Sequence, residues 1–186
     1  VSRHFGDLKT MALKPEHAVQ YELGTKGLLL KRKLSYELAV FDLENTDKLV
    51  SQKVGTVSFT TNIGKQRNRG AELTLSALLV DDPIETISLL RPWVTYTYSD
   101  FKYIEFRSDN NNTAATVDFS GKTVARTPEQ VFNCGFDAAT RSGFYLFGSY
   151  QHVGSAYVTF NNTNGVKAYV LLNAKAGYQR QLNRHF

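Results

Sequence analysis

Four histidines, one cysteine and two close carboxylate pairs are the residues that any catalysis in this chain would have to use. His4, His17, His152 and His185 stand far apart, without the HxxxH or HExxH spacing that sets two imidazoles on one helix face for zinc. Cys134 is the sole cysteine, so an internal disulfide and a CxxC metal or redox pair are both excluded. Asp81-Asp82 and Asp42-x-Glu44 place carboxylates side by side, as acid–base chemistry needs, but with no base or nucleophile nearby. On a turn and at a strand end they read as solvated charges. Asn111-Asn112-Thr113 and Asn161-Asn162-Thr163 match the glycosylation sequon, a pattern that arises often by accident. Gly24, Gly27, Gly64 and Gly70 lack phosphate-loop spacing and suit close packing or bending of strands. The chain is expected not to be an enzyme, with no catalytic residue, metal site or cofactor.

The elements that carry these residues are strands. The stretch NIGKQRNRGAELTLS, residues 62–76, alternates in its second half: Ala71, Leu73 and Leu75 point one way, Glu72, Thr74 and Ser76 the other. A period of two marks a strand with one apolar and one polar face. The same pattern returns in Val19, Tyr21 and Leu23 against Gln20 and Glu22, and in Leu34, Tyr36, Leu38 and Val40 against Ser35 and Glu37. It recurs in a strand from about Ser88 to Tyr103, with Pro92 expected near its start because proline cannot donate to a ladder. Phe132, Cys134 and Phe136 face away from Asn133, Gly135 and Asp137, and Val170, Leu172 and Ala174 from Asn173 and Lys175. Between them residues 144–154 are aromatic on both faces. About seven strands are expected, in a chain of 186 residues long enough for one domain.

Composition supports this. Ten Tyr and twelve Phe favour half-buried pleated surfaces. The net charge of +5 is dispersed, with only two short clusters, Lys31-Arg32-Lys33 and residues 65–69, so no nucleic-acid interface is expected. No apolar run approaches the roughly 18 residues of a membrane-spanning helix. The opening, which starts at Val1, carries no signal-peptide pattern.

The connections alternate in length. Residues 29–33, Asp81-Asp82-Pro83 and residues 140–143 are short; the polar stretches 45–57, 105–125 and 161–165 are longer. All the long loops therefore lie at one end of the sheet, as in up-and-down membrane barrels. Strands of about ten residues suit a tilted crossing of a bilayer. Tyr96, Tyr98, Phe101, Tyr103, Tyr150, Tyr157 and Phe160 lie toward the long-loop end and fit an interfacial aromatic belt. The alternative is a soluble β-sandwich that binds a ligand or carbohydrate, with two apolar faces buried against each other.

Four segments resemble the β-barrel of TonB-dependent outer-membrane transporters. They are Leu13-x-Pro15-Glu16 with Tyr21-Glu22-x-Gly24-x-Lys26, Asn62-x-Gly64-Lys65 with Arg69-Gly70-x-Glu72, Ser120-Gly121-Lys122 with Thr127-Pro128, and Asn161–Asn164 with residues 169–178. They occur in family order and span nearly the whole chain. The resemblance implies an all-β, antiparallel, transmembrane up-and-down barrel, present as a fragment of about seven strands from the later part of a wall of 22. Residues 1–186 would be one segment, without the plug domain and closing strands. The implied setting is the outer membrane of a Gram-negative bacterium, and the implied function is uptake of a scarce substrate, most often a ferric siderophore. The implied partners are outer-membrane lipid, the plug and, through it, the TonB complex. Inward polar positions Gln20, Glu22, Glu72, Thr74, Asn133, Asp137 and Lys175 would line the lumen and meet the plug. Loop residues Tyr103, Arg107, Tyr157 and Asn161 would be reached by substrate from outside.

Overall fold

A computed structural model describes residues 13–54, 57–81, 86–109 and 116–179. His4, His185, Asp82, Pro83 and the sequon at 111–113 lie outside these residues. Twelve strands occur among the described residues, in chain order: β1 (His17–Leu29), β2 (Leu34–Val54), β3 (Val57–Ala77), β4 (Val80–Asp81), β5 (Ile87–Glu105), β6 (Arg107–Asp109), β7 (Thr116–Asp118), β8 (Gln130–Thr140), β9 (Phe144–Val153), β10 (Ala156–Tyr157), β11 (Gly165–Val166) and β12 (Tyr169–Tyr178). Seven long ones form a single antiparallel meander, β1-β2-β3-β5-β8-β9-β12, in which every long strand pairs with its predecessor. β4 adds a two-residue pair to β5, and β6–β7 and β10–β11 are small ribbons within the long loops. The sheet is open, as expected of part of a barrel.

Paired residues of antiparallel strands share a face, so the register sorts the side chains. One row runs Leu23, Val40, Ala71, Tyr98; another runs Thr25, Leu38, Leu73, Tyr96, Phe132, His152, Val170; a third runs Gly27, Tyr36, Leu75, Val94, Cys134, Tyr150, Leu172. These rows make one face apolar, and nothing among the described residues covers it: Tyr21 is 75% exposed, and Leu23 and Leu172 are each 76% exposed. A sandwich buries such a face under a second sheet. The other sheets here have two strands each, so the alternative architecture is not present among the described residues.

The stretch 45–57, expected as a loop, is instead strand almost throughout, with β2 and β3 paired from Leu34 opposite Ala77 to Val54 opposite Val57. Each strand has 21 residues, about twice the 9–11 that a tilted strand needs to cross a bilayer. The sequence there carries no clean alternation to mark a strand. Pro92 also lies deeper than expected, opposite Phe136 within the β5–β8 ladder. On its other flank pairing with β3 stops at Trp93 and pairing with β4 begins at Leu90, so Pro92 occupies the gap where a missing donor costs least.

The opposite face is polar but interrupted by rings that lie over cross-strand glycines. Phe41 covers Gly70, Trp93 covers Gly135 and Tyr145 covers Gly177. A Cβ added at Gly135 would sit 2.6 Å from the Trp93 ring and 2.5 Å from the Gly148 carbonyl oxygen. Side chains can yield; a ladder carbonyl cannot without shifting a strand. Gly135→Ala is therefore expected to destabilise the folded barrel by about 1–3 kcal/mol, the usual cost of overpacking. Urea midpoints in detergent check this, and adding Trp93→Ala should recover only part of the loss, because the carbonyl clash remains.

Candidate functional site

The buried core lies in the loops. Tyr103 is 4% exposed, Phe106 0% and Val124 9%, with Phe101, Phe119 and Phe160 packed against them. Phe106 meets Phe119 and Phe160 at ring-centroid distances of 5.1 and 5.0 Å, and Tyr103 at 4.9 Å. Tyr103 comes from the end of β5, Phe119 and Val124 from the stretch before β8, and Phe160 from the loop after β9. The cluster thus joins two loops that the chain keeps far apart. Phe101 and Tyr103 share the polar face of β5 with Gln66 and Asn68 of β3. They and Phe160 are therefore core rings of the loop platform, not part of an interfacial belt, whereas Tyr96, Tyr98 and Tyr150 do stand on the apolar face.

Asn162 latches the platform. Its Oδ1 accepts the backbone N–H of Thr123 at 2.8 Å, and its Nδ2 donates to the Thr123 carbonyl at 2.9 Å. Its φ of 59° is left-handed, a conformation asparagine tolerates better than most residues. Beside the latch the Asn161 Oδ1 accepts from both the backbone and the hydroxyl of Thr163, tightening the turn. On the β7 side the Asp118 carboxylate accepts the Ser120 N–H at 2.8 Å and pairs with Arg107 at 3.3 Å. The hydrogen bonds from Ser120, aided by the Arg107 guanidinium, hold the Asp118 carboxyl below the usual carboxylate range.

Against this platform opens a cavity of about 740 Å³, walled by Lys48 of β2, Gln66 of β3, Tyr103, and the loop residues Arg126, Phe160 and Asn161. Of the four loop residues expected to meet substrate, Tyr103 and Asn161 line this cavity. Tyr103 does so as a packed ring whose hydroxyl accepts from Ala125 N–H at 3.3 Å, rather than as a loop tip. Tyr157 lines a smaller hollow of about 210 Å³, and Arg107 is engaged with Asp118 away from both. Sequence reasoning passed over Lys48, Arg126 and Asn162. Asn162 was visible only within a sequon and a family-resembling segment, and the other two as single cations in polar stretches.

The seven polar residues expected inside the wall fall on one face, opposite the apolar rows. Thr74 and Asn133 share a row with Thr95 between them, and Asn133 donates to the Thr95 hydroxyl at 3.0 Å. Gln20 donates to Glu22 at 2.8 Å. Asp137 pairs with Arg91 at 3.0 Å, and Lys175, one strand beyond Phe147 in the same row, lies 5.8 Å over the Tyr145 ring. Glu72, opposite Ala39 and Thr97, makes no ion pair among the described residues. No group of three potential metal ligands gathers among the described residues.

Two motif segments meet just before the start of β1. The Asn62 side chain holds both the N–H and the carbonyl of Lys14, at 2.8 and 2.9 Å, and the Glu16 carboxylate accepts the Leu49 N–H. The Leu13-x-Pro15-Glu16 segment is therefore a strap across the β2–β3 hairpin.

An uncovered apolar face, a polar face behind it, a strict meander and long loops at one end define a piece of membrane-barrel wall. The family described as TonB dependent receptor-like, beta-barrel matches residues 5–186, and the chain belongs to it. It is 25% identical over 168 residues to the ferrichrome outer membrane transporter/phage receptor of Escherichia coli (strain K12), a match covering 88% of this chain and 20% of that protein. Among solved structures it resembles the siderophore receptor PiuA from Acinetobacter baumannii, with a TM-score of 0.68, 23% identity and coverage of 88% of this chain and 22% of that one. It also resembles the ferric yersiniabactin uptake receptor FyuA from Yersinia pestis, with a TM-score of 0.64, 19% identity and the same coverages. The chain thus spans about a fifth of the length of these relatives.

Asn162→Ala is expected to unlatch the two loops at about 1–3 kcal/mol, since it strands the Thr123 backbone groups. Faster amide exchange at Thr123, with strand amides unchanged, is the readout. Because the Asp118 carboxyl is depressed in the folded loop, its contribution is present above the unfolded value near 4 and is lost as pH falls through the folded one. The Ser120 amide resonance should accordingly titrate with a midpoint below that of an ordinary aspartate, and Asp118→Asn should abolish the transition.

Proposed function

We propose that this chain is a segment of the wall and outer loops of a TonB-dependent transporter that takes up a ferric siderophore across the outer membrane of a Gram-negative bacterium. The observation that carries the reading is the two-faced open sheet: an apolar face that only lipid would cover, backed by a polar face that only a filled lumen would need. Gln20, Glu22, Glu72, Thr74, Asn133, Asp137 and Lys175 then line the lumen and meet a plug domain, through which the TonB complex acts. The outer edges of β1 and β12 take further strands of the same barrel. Tyr103 and Asn161 belong to the substrate side through the cavity they line, and Arg107 and Tyr157 to the surrounding loop surface. The chain contributes binding and passage, not bond chemistry. Siderophore substrates are supported by the chain's similarity to a ferrichrome transporter, a siderophore receptor and a ferric yersiniabactin uptake receptor.

The test is iron uptake by cells that lack their own siderophore receptors and express the complete barrel containing this chain. Radiolabelled ferric siderophore is expected to accumulate with TonB present, to fall to background without it, and to track protein found in the outer-membrane fraction. Uptake indifferent to TonB, or protein confined to another compartment, would overturn the proposal.

A further inference from the structure

Resting on that reading, we infer that the cavity beside the loop platform selects ferric chelates with net negative charge over neutral ones. Most cations near this cavity are already satisfied. At this end of the sheet Lys65 pairs with Glu44 at 2.7 Å, Arg67 and Arg69 with Asp42, Lys102 with Asp100 at 3.5 Å, and Arg107 with Asp118 at 3.3 Å. Lys48 and Arg126 both line the cavity, no carboxylate lines it with them, and neither has an ion-pair partner among the described residues. They belong to separate walls, Lys48 to β2 and Arg126 to the stretch entering β8. Arg126 is held in place by its backbone: its φ is 67°, and its N–H donates to the Tyr157 carbonyl at 2.6 Å.

Two like charges lining one concavity repel each other, and low-dielectric walls such as the rings of Tyr103, Phe119 and Phe160 weaken the screening that would hide them. An anion entering the space relieves that repulsion and gains attraction from both. A neutral chelate of the same size strips water from both cations and returns nothing, so the site discriminates by penalty as well as by gain. Among ferric chelates this separates classes cleanly. Three catecholates around ferric iron leave a triply negative complex with flat aromatic faces, whereas three hydroxamates leave a neutral one.

The experiment uses the complete transporter containing this chain, purified in detergent. It titrates binding of a ferric tris-catecholate and a neutral ferric tris-hydroxamate at low and high salt. Wild type is compared with Lys48→Gln, Arg126→Gln and the double variant. The tris-catecholate is expected to bind at least about tenfold more tightly, each single variant to weaken it by about tenfold, and salt to narrow the gap. Binding of the tris-hydroxamate should hold or tighten as the penalty of desolvating a cation is removed, which also shows that the variants are folded. Equal or tighter binding of the neutral chelate by wild type, or glutamine variants that hold the anionic one as well as wild type does, would overturn charge selection and leave the siderophore reading standing. Failure of wild type to bind either chelate would overturn both.

Discussion

A strand inside hydrocarbon has no water to take up its backbone donors and acceptors, so each must pair with a neighbouring strand. Most of what this chain does follows from that constraint. It accounts for the meander, in which β1, β2, β3, β5, β8, β9 and β12 each lie beside the preceding long strand. Short turns at one end waste no backbone. It also sets the status of β1 and β12, each paired on one side only among the described residues. A segment of this kind is completed by more of the same sheet rather than by a second layer, which is why its apolar face stays open while its hydrogen-bond ladder is continuous.

Above the apolar band the rules change. The row of Asp42, Arg69 and Asp100 and the next row of Glu44, Arg67 and Lys102 place mutually paired charges on the face that carries leucine and tyrosine further down. Where water is available again, the chain builds an ordinary small core. Phe106, Tyr103 and Phe160 pack at soluble-protein distances, and an asparagine supplies the hydrogen bonds that neither loop makes for itself. The structure is thus a wall without a core carrying a core without a wall, and the cavity lies where the two meet.

The wall was legible from residue type alone because alternation reports directly on two unlike environments. Leu73 and Leu75 against Glu72 and Thr74, or Phe132 and Cys134 against Asn133, require no knowledge of partners. The four resembling segments added the family. What stayed hidden depends on contacts between distant positions. Residues 45–57 look like loop because their sequence carries no clean alternation, although β2 and β3 pair through most of that stretch. Phe106, Phe119 and Phe160 sit in irregular stretches with no period to mark them. Lys48 and Arg126 are conspicuous only against the paired state of their neighbours, and pairing is a property of the folded sheet.

Alternation also leaves one question open that the glycines answer. Sliding one strand past another by two residues keeps every leucine on its own face and every glutamate on the other, so the two-residue period cannot tell the native register from its near neighbours. Phe41 over Gly70, Trp93 over Gly135 and Tyr145 over Gly177 can. After such a slip each ring would land on a residue bearing a Cβ, and each glycine would lie bare beneath a different side chain. Phe136 over Gly148 and Tyr36 over Gly27 do the same on the apolar face, so both faces hold marks by which neighbouring strands find their place. These rings act as index pins for a ladder whose rungs are otherwise interchangeable.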